Sequence, residues 1–216
     1  MKISRIERIL YLLAPNFLLR RILHFFPKFK FLKDTQNTQT PINFDIWYRH
    51  KITGSSRSAY WPIHPTSTVI NSFNVYCGIE TSPGYSPGNY IQAIGKVKIG
   101  DYTQIAANVG IISANHELTD NRKHVIKDVE IGKYCWIGMG AIILPGVQLG
   151  EYTIVAAGAV VTKSFQKGYC VIGGNPAKTI KRINPDECQL HRSKFEYHGY
   201  LTVSEFHKFQ EKYLNV

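Results

Sequence analysis

Ile131-Gly-Lys-Tyr-Cys-Trp-Ile137-Gly-Met-Gly-Ala-Ile-Ile143-Leu-Pro-Gly-Val-Gln-Leu149 decides the fold. Each aliphatic leader stands six places after the last, and the count continues through Val155 and Val161. Upstream the same count runs through Ile99, Ile105 and Ile111, then breaks across an irregular stretch containing His116. Three echoes tie the repeats together: Val97-Lys-Ile99-Gly100, Val129-Glu-Ile131-Gly132 and Val147-Gln-Leu149-Gly150. In each, two alternating apolar residues run into glycine, the pattern of a short strand entering a tight turn. Four places after the leaders stand Thr103, Val109, Cys135, Ala141, Val147, Thr153 and Ala159, all small or β-branched. A period of six is neither that of a helix nor that of a single strand. It suits short strands joined by turns and stacked coil upon coil, a parallel β-helix. The leaders then form an inward ladder, each contributing about 1.5–3 kcal/mol when fully buried. An isolated coil cannot bury its leader, so the repeats must stack.

Around this core the chain divides into an N-terminal helical and connector extension (1–60), the β-helix domain (61–183) and a C-terminal helical extension (184–216). Ile6, Ile9, Leu10 and Leu13 form one helical stripe; Leu18, Leu19, Ile22, Leu23 and Phe26 form another, with a break near Pro15. Residues 34–60 show no clear period. From Trp61 to Ile94 the hexads are faint, with Val69 and Val75 leading a degenerate first coil. The stretch Thr81 to Asn89 carries two Pro-Gly steps and reads as a turn-rich loop. Thr202 and Glu205 fit a capping box, with Leu201 and Phe206 as its hydrophobic staple, and Phe206, Phe209 and Tyr213 share one face of the helix that follows.

The net charge of +11 is uneven: residues 1–33 hold eight Lys/Arg against Glu7 alone. Nucleic-acid proteins spread basic side chains over a binding face. Here the excess sits on a Leu/Ile/Phe-rich segment, which favours an anionic membrane surface. That segment reads either as a helical cap or as a peripheral contact with the inner membrane face. Cys77, Cys135, Cys170 and Cys188 form no C-x-x-C pair, and a reducing cytoplasmic setting fits them. The longest early uncharged run, Ile9–Leu19, is too short to span a bilayer, and no cleavage pattern follows it.

Three stretches carry a resemblance: Ile99 to His116, Trp136 to Gly146, and Gly158-Ala-Val-Val-Thr-Lys163 with Gly174-Asn-Pro-Ala-Lys178. Together, over roughly residues 85–183, they resemble the hexapeptide-repeat acyltransferases. The likeness is greatest to sugar and polysaccharide O-acetyltransferases, near the maltose, galactoside and serine acetyltransferases. The resemblance implies a left-handed β-helix of triangular section with three hexads to a coil. It implies a homotrimer with active sites between subunits, acetyl-CoA as co-substrate and no metal in the chemistry.

An alcohol is a poor nucleophile until its proton is removed, and imidazole suits a base working near neutral pH. The family places its catalytic histidine where the hexads break, the place of His116. Glu117 is read as catalytic through holding the imidazole, although a backbone carbonyl could do this equally and Glu117 could instead face the acceptor. The loop Leu118 to Lys127, with Asn121, Arg122, Lys123 and His124, is expected to wall the site. Asn89 and Tyr90 are the candidate acceptor-binding residues, an amide and a phenol suited to sugar hydroxyls. For CoA the candidates are Trp136, Gly138, Met139, Ala157 and Gly158 along the arm and Thr162, Lys163, Lys178 and Lys181 at the phosphates. Trp136 could equally pack at a subunit interface, and each lysine could be merely solvated. Met139 departs from the small or polar residue common there; its backbone N–H is the candidate oxyanion donor.

The leading expectation is therefore an acetyl-CoA-dependent O-acetyltransferase acting on a saccharide hydroxyl. The same chemistry on an amino sugar is an alternative. A γ-carbonic-anhydrase-like metalloenzyme would need three converging histidines, and the repeat region holds only His116 and His124. A non-catalytic structural trimer is the remaining class.

Overall fold

The computed structural model describes residues 26–54 and 56–216. Both expected N-terminal stripes lie at or before Phe26, so they and the expected membrane contact fall almost wholly outside the described residues. Among the described residues no helix is long and apolar enough to cross a membrane.

The repeat winds into a left-handed parallel β-helix with three sheets as its faces. The first sheet stacks Thr68–Ile70, Tyr90–Gln92, Gly110–Ile112, Ile142–Ile143 and Val160–Val161. The second stacks Val75–Cys77, Val97–Ile99, Val129–Ile131 and Gln148–Leu149, extended by a bridge from Leu149 to Phe165. The third stacks Gln104–Ile105, Trp136–Ile137, Thr153–Val155 and Cys170–Gly173, and the antiparallel strand Lys178–Arg182 closes it. Ile142 pairs with Val160, Glu130 with Gln148 and Trp136 with Ile154, so one turn of the solenoid consumes three hexads.

The leaders Ile99, Ile111, Ile137, Ile143, Val155 and Val161 are buried in one continuous core, with Thr103, Val109, Cys135, Ala141, Val147, Thr153 and Ala159 buried between them. The first coil, faint in the sequence, is present: Thr68 pairs with Tyr90 and Val75 with Val97. Residues inserted at its corners stretch the spacing and hide the period.

The largest departure falls between the first and second sheets of the third coil. Ile111 pairs with Ile143, and Ile99 with Ile131, across an excursion that the regular coil lacks. This is more ordered than the loop expected from Leu118 to Lys127. It begins earlier, as an antiparallel hairpin of Ala114–His116 and His124–Ile126.

The C-terminal helix Val203–Tyr213 starts at the capping box of Thr202 and Glu205. It folds back onto the opening coil, where Phe206 is buried among Tyr60, Tyr76 and His198. Residues 27–53, with the short helices Phe31–Asp34 and Phe44–Tyr48, form a cap. Phe31, Leu32 and Ile42 build a second core there with Tyr197.

Candidate active site

The hairpin puts His116 directly opposite His124. Its ladder continues past the strands, since the Glu117 N–H donates to the Lys123 carbonyl. Successive side chains in such a ladder point to opposite faces. Glu117 therefore turns away from His116, and its carboxylate accepts from the Thr119 hydroxyl at 3.5 Å. The group on the imidazole is a backbone carbonyl: His116 Nδ1 lies in hydrogen-bond contact with the carbonyl oxygen of Asn121. A carbonyl can only accept, so Nδ1 carries a proton, and in the neutral imidazole Nε2 then keeps its lone pair. His116 is exposed. Within the same tip, Asp120 takes the Arg122 guanidinium at 2.8 and 3.1 Å and the Lys123 ammonium at 3.7 Å.

Asn89, expected to bind the acceptor, lies within the stack. It is buried, and its Nδ2 donates 2.8 Å to the Ala106 carbonyl. Its Oδ1 has no partner among the described residues. Tyr90 is exposed at the start of its strand in the first sheet.

The residues expected along the CoA arm gather on the edge between the third and first sheets. Gly138 donates to the Val155 carbonyl and Gly158 to the Met139 carbonyl, both at 2.8 Å, so the two short segments lie one above the other. Ala106 and Ala107 lie in the coil before, and Gly174 and Ala177 bond to Val160 in the coil after. The result is a column of small residues. A Cβ built on Gly140 or Gly158 would meet nothing within 4 Å, so the backbone there is open to solvent. The N–H groups of Met139 and Ala157 donate to no backbone carbonyl among the described residues. Met139 and Trp136 are both exposed beside the column.

Lys178 and Lys181 follow on the exposed closing strand, directly after Ala177. Thr162 and Lys163 are exposed at the other end of the first sheet, where the Lys163 ammonium lies 5.9 Å from the Phe165 ring centre. The fold therefore joins Lys178 to the column, while Thr162 and Lys163 sit across a face from it. His116 projects from that same far edge, between the first and second sheets. Among the described residues no three His, Cys, Asp or Glu side chains gather to hold a metal ion.

Residues 128–163 match the bacterial transferase hexapeptide family, described as six repeats. Over 125 residues the chain is 41% identical to a protein of Dictyostelium discoideum named as an acetyltransferase, a match covering 56% of this chain and 64% of that protein. The repeat over these residues is thus similar to that of the bacterial hexapeptide transferases. The chain spans less than two thirds of the length of this curated relative. Two solved structures share the fold. A maltose O-acetyltransferase from Clostridium difficile 630 has a TM-score of 0.55 and 24% identity, over 79% of this chain and 91% of that one. A galactoside acetyltransferase in complex with coenzyme A has a TM-score of 0.56 and 22% identity, over 72% and 86%.

Sequence reasoning missed the third edge, between the second and third sheets. Tyr102, Tyr134, Tyr152 and Tyr169 stack there ring on ring, with centroids 5.3, 5.5 and 5.7 Å apart. All four have positive φ. The hydroxyls of the first three meet the chain between Gln189 and Glu196: Tyr152 meets the Gln189 carbonyl, Tyr134 the His191 carbonyl and Tyr102 the Glu196 carboxylate. The available signal was a tyrosine two residues after the glycine of each echo.

Proposed function

We propose that this chain transfers an acetyl group from acetyl-CoA to a hydroxyl of a sugar or surface polysaccharide. The observation that carries the reading is His116, held at Nδ1 by a carbonyl on a hairpin that interrupts the repeat, with no partner on Nε2 among the described residues. In this reading Nε2 takes the hydroxyl proton as the new C–O bond forms and returns it to the departing thiolate sulfur. A base placed in this way supplies about 10²–10⁴-fold. The Met139 N–H, without a backbone acceptor of its own, supplies the oxyanion contact. The column at Gly138, Met139, Ala157 and Gly158 receives the extended arm of CoA, Trp136 flanks it, and Lys178 and Lys181 meet phosphates at its end.

Donor column and base stand on different edges of one prism, separated by the first sheet. Seven residues, Asn108 to Ala114, cross that face, a span of up to about 20 Å. A reaction needs the two within contact, so the site is completed by a second copy of the chain. Leu118, Val125 and Ile126 support this, being apolar and exposed on the hairpin that would reach across. The trimer implied by the resemblance supplies that arrangement.

The test is thiol release from acetyl-CoA with a panel of sugars and oligosaccharides, with His116→Ala alongside. Turnover with the natural chain and a loss of 10²-fold or more in kcat for the variant are expected. No turnover across the panel, or full turnover by the variant, would overturn the proposal.

A further inference from the structure

The hairpin that carries the proposed base also carries a second imidazole. The Lys127 N–H donates to the Ser113 carbonyl, and the Glu117 N–H to the Lys123 carbonyl. Hydrogen-bonded and non-hydrogen-bonded pairs alternate along an antiparallel ladder. The pair His116–His124 is therefore non-hydrogen-bonded, the kind whose side chains stand closest. Their ring centres are 4.6 Å apart, tilted by 39°.

Ala114 and Ile126 share that face of the hairpin and fasten its root to the solenoid. Ala114 is buried, and Ile126 lies so near Gly95 that a Cβ there would come within 2.7 Å of its Cγ2. The ring pair thus stands on an anchored base. One hydrogen bond at Nδ1 fixes a single point of an exposed imidazole and leaves its side-chain torsions other staggered choices. A ring packed against the His116 face removes them. The ring nitrogens of His124 carry no hydrogen bond among the described residues, so its packing against His116 is its one directed contact.

We propose that His124 is a positioning residue: its ring braces the His116 imidazole so that Nε2 keeps a single direction. This rests on the acyl-transfer reading. The test compares the full chain with His124→Ala and His124→Phe by steady-state kinetics and by the crystallographic rotamer of His116. Removing an aromatic contact of this kind is expected to lower kcat about five- to tenfold in His124→Ala, with KM for acetyl-CoA unchanged. His124→Phe keeps a ring and is expected to recover kcat to within about twofold. One His116 rotamer is expected in the natural chain and in His124→Phe, and more than one in His124→Ala. Undiminished kcat in His124→Ala, or a phenylalanine variant as slow as the alanine one, would overturn the bracing role. A change in KM alone would also overturn it, in favour of acceptor binding. If the natural chain transfers no acetyl group, the functional reading fails, and the rotamers alone decide whether His124 holds His116.

Discussion

Two glycines on the proposed donor column separate a packing role from a binding role. A Cβ on Gly138 would lie 2.6 Å from the Val155 oxygen, 2.7 Å from the Ala157 nitrogen and 2.9 Å from the Ala156 carbonyl carbon. All three are backbone atoms of the next coil, so no side chain can turn aside and the coils must part. Overpacking of this kind costs about 1–3 kcal/mol. Gly158 is the opposite case. Its φ is +68°, and a Cβ there meets nothing within 4 Å. Gly158→Ala costs only the left-handed backbone, about 1–2 kcal/mol, but sets a methyl group on the open edge where the donor arm would lie. One misplaced methyl-sized group in a fitted site is worth about tenfold or more. Gly158→Ala should therefore raise KM for acetyl-CoA about tenfold with a modest loss of stability. Gly138→Ala should lower the urea midpoint more than Gly158→Ala does. The assays are urea unfolding followed by circular dichroism and thiol release at varied acetyl-CoA. An unchanged KM in a folded Gly158→Ala protein would refute the placement of the donor on this edge.

The interior ladder gives the second expectation: Ile143→Ala, at a fully buried leader, should cost about 2–5 kcal/mol in urea unfolding. Acid should loosen the cap. Buried His50 is held between the Tyr200 hydroxyl and the Ser56 carbonyl, and burial brings its pKa down to about 4. The unfolded chain takes that proton near pH 6.5 and the folded one resists it, so this stability is full above 6.5 and drains towards 4. The loss at pH 5 is about 2 kcal/mol, and burial lowers the His198 pKa in the same direction. Urea midpoints at pH 7 and pH 5 check this, and His50→Gln should flatten the difference. Deleting residues 1–33 should abolish sedimentation with phosphatidylglycerol vesicles in a protein that still shows its native circular dichroism; unchanged sedimentation would sink the membrane contact.

Where local pattern and burial coincide, residues announce their places. The leaders and the small residues four places on recur because every coil meets the same interior. The capping box at Thr202 needs only four residues to form. His116 stood out because it sits at a defect in a regular count. Asn89 and Glu117 show what residue type leaves open: polarity says that a side chain can bind, not which way it faces. Asn89 bonds to the next coil from inside the stack, and strand alternation turns Glu117 off the His116 face. The cap was illegible for another reason. Phe31 packs its ring against Tyr200, and Tyr197 bonds to Asp34, across more than 160 residues. Such contacts leave no period in a linear text.

The three edges of the prism explain why a chain of near-identical coils can carry a specific site. One edge is closed by stacked tyrosines under the strap from Gln189 to Glu196. A second is lined mainly by glycine and alanine, and its Met139 and Ala157 N–H groups donate to no backbone carbonyl among the described residues. The third opens into the hairpin with His116. Repetition keeps each edge straight from coil to coil, so a ligand laid along the small-residue edge meets equivalent positions at successive levels. The hairpin breaks the repetition once, and so singles out one level. If donor and base must meet, the level is set by the hairpin and the lateral distance by the packing of a neighbouring prism. Catalysis would then depend on association through the exposed Leu118, Val125 and Ile126. Charged replacements there should abolish turnover and association together, and a dissociated variant with full activity would contradict the shared site.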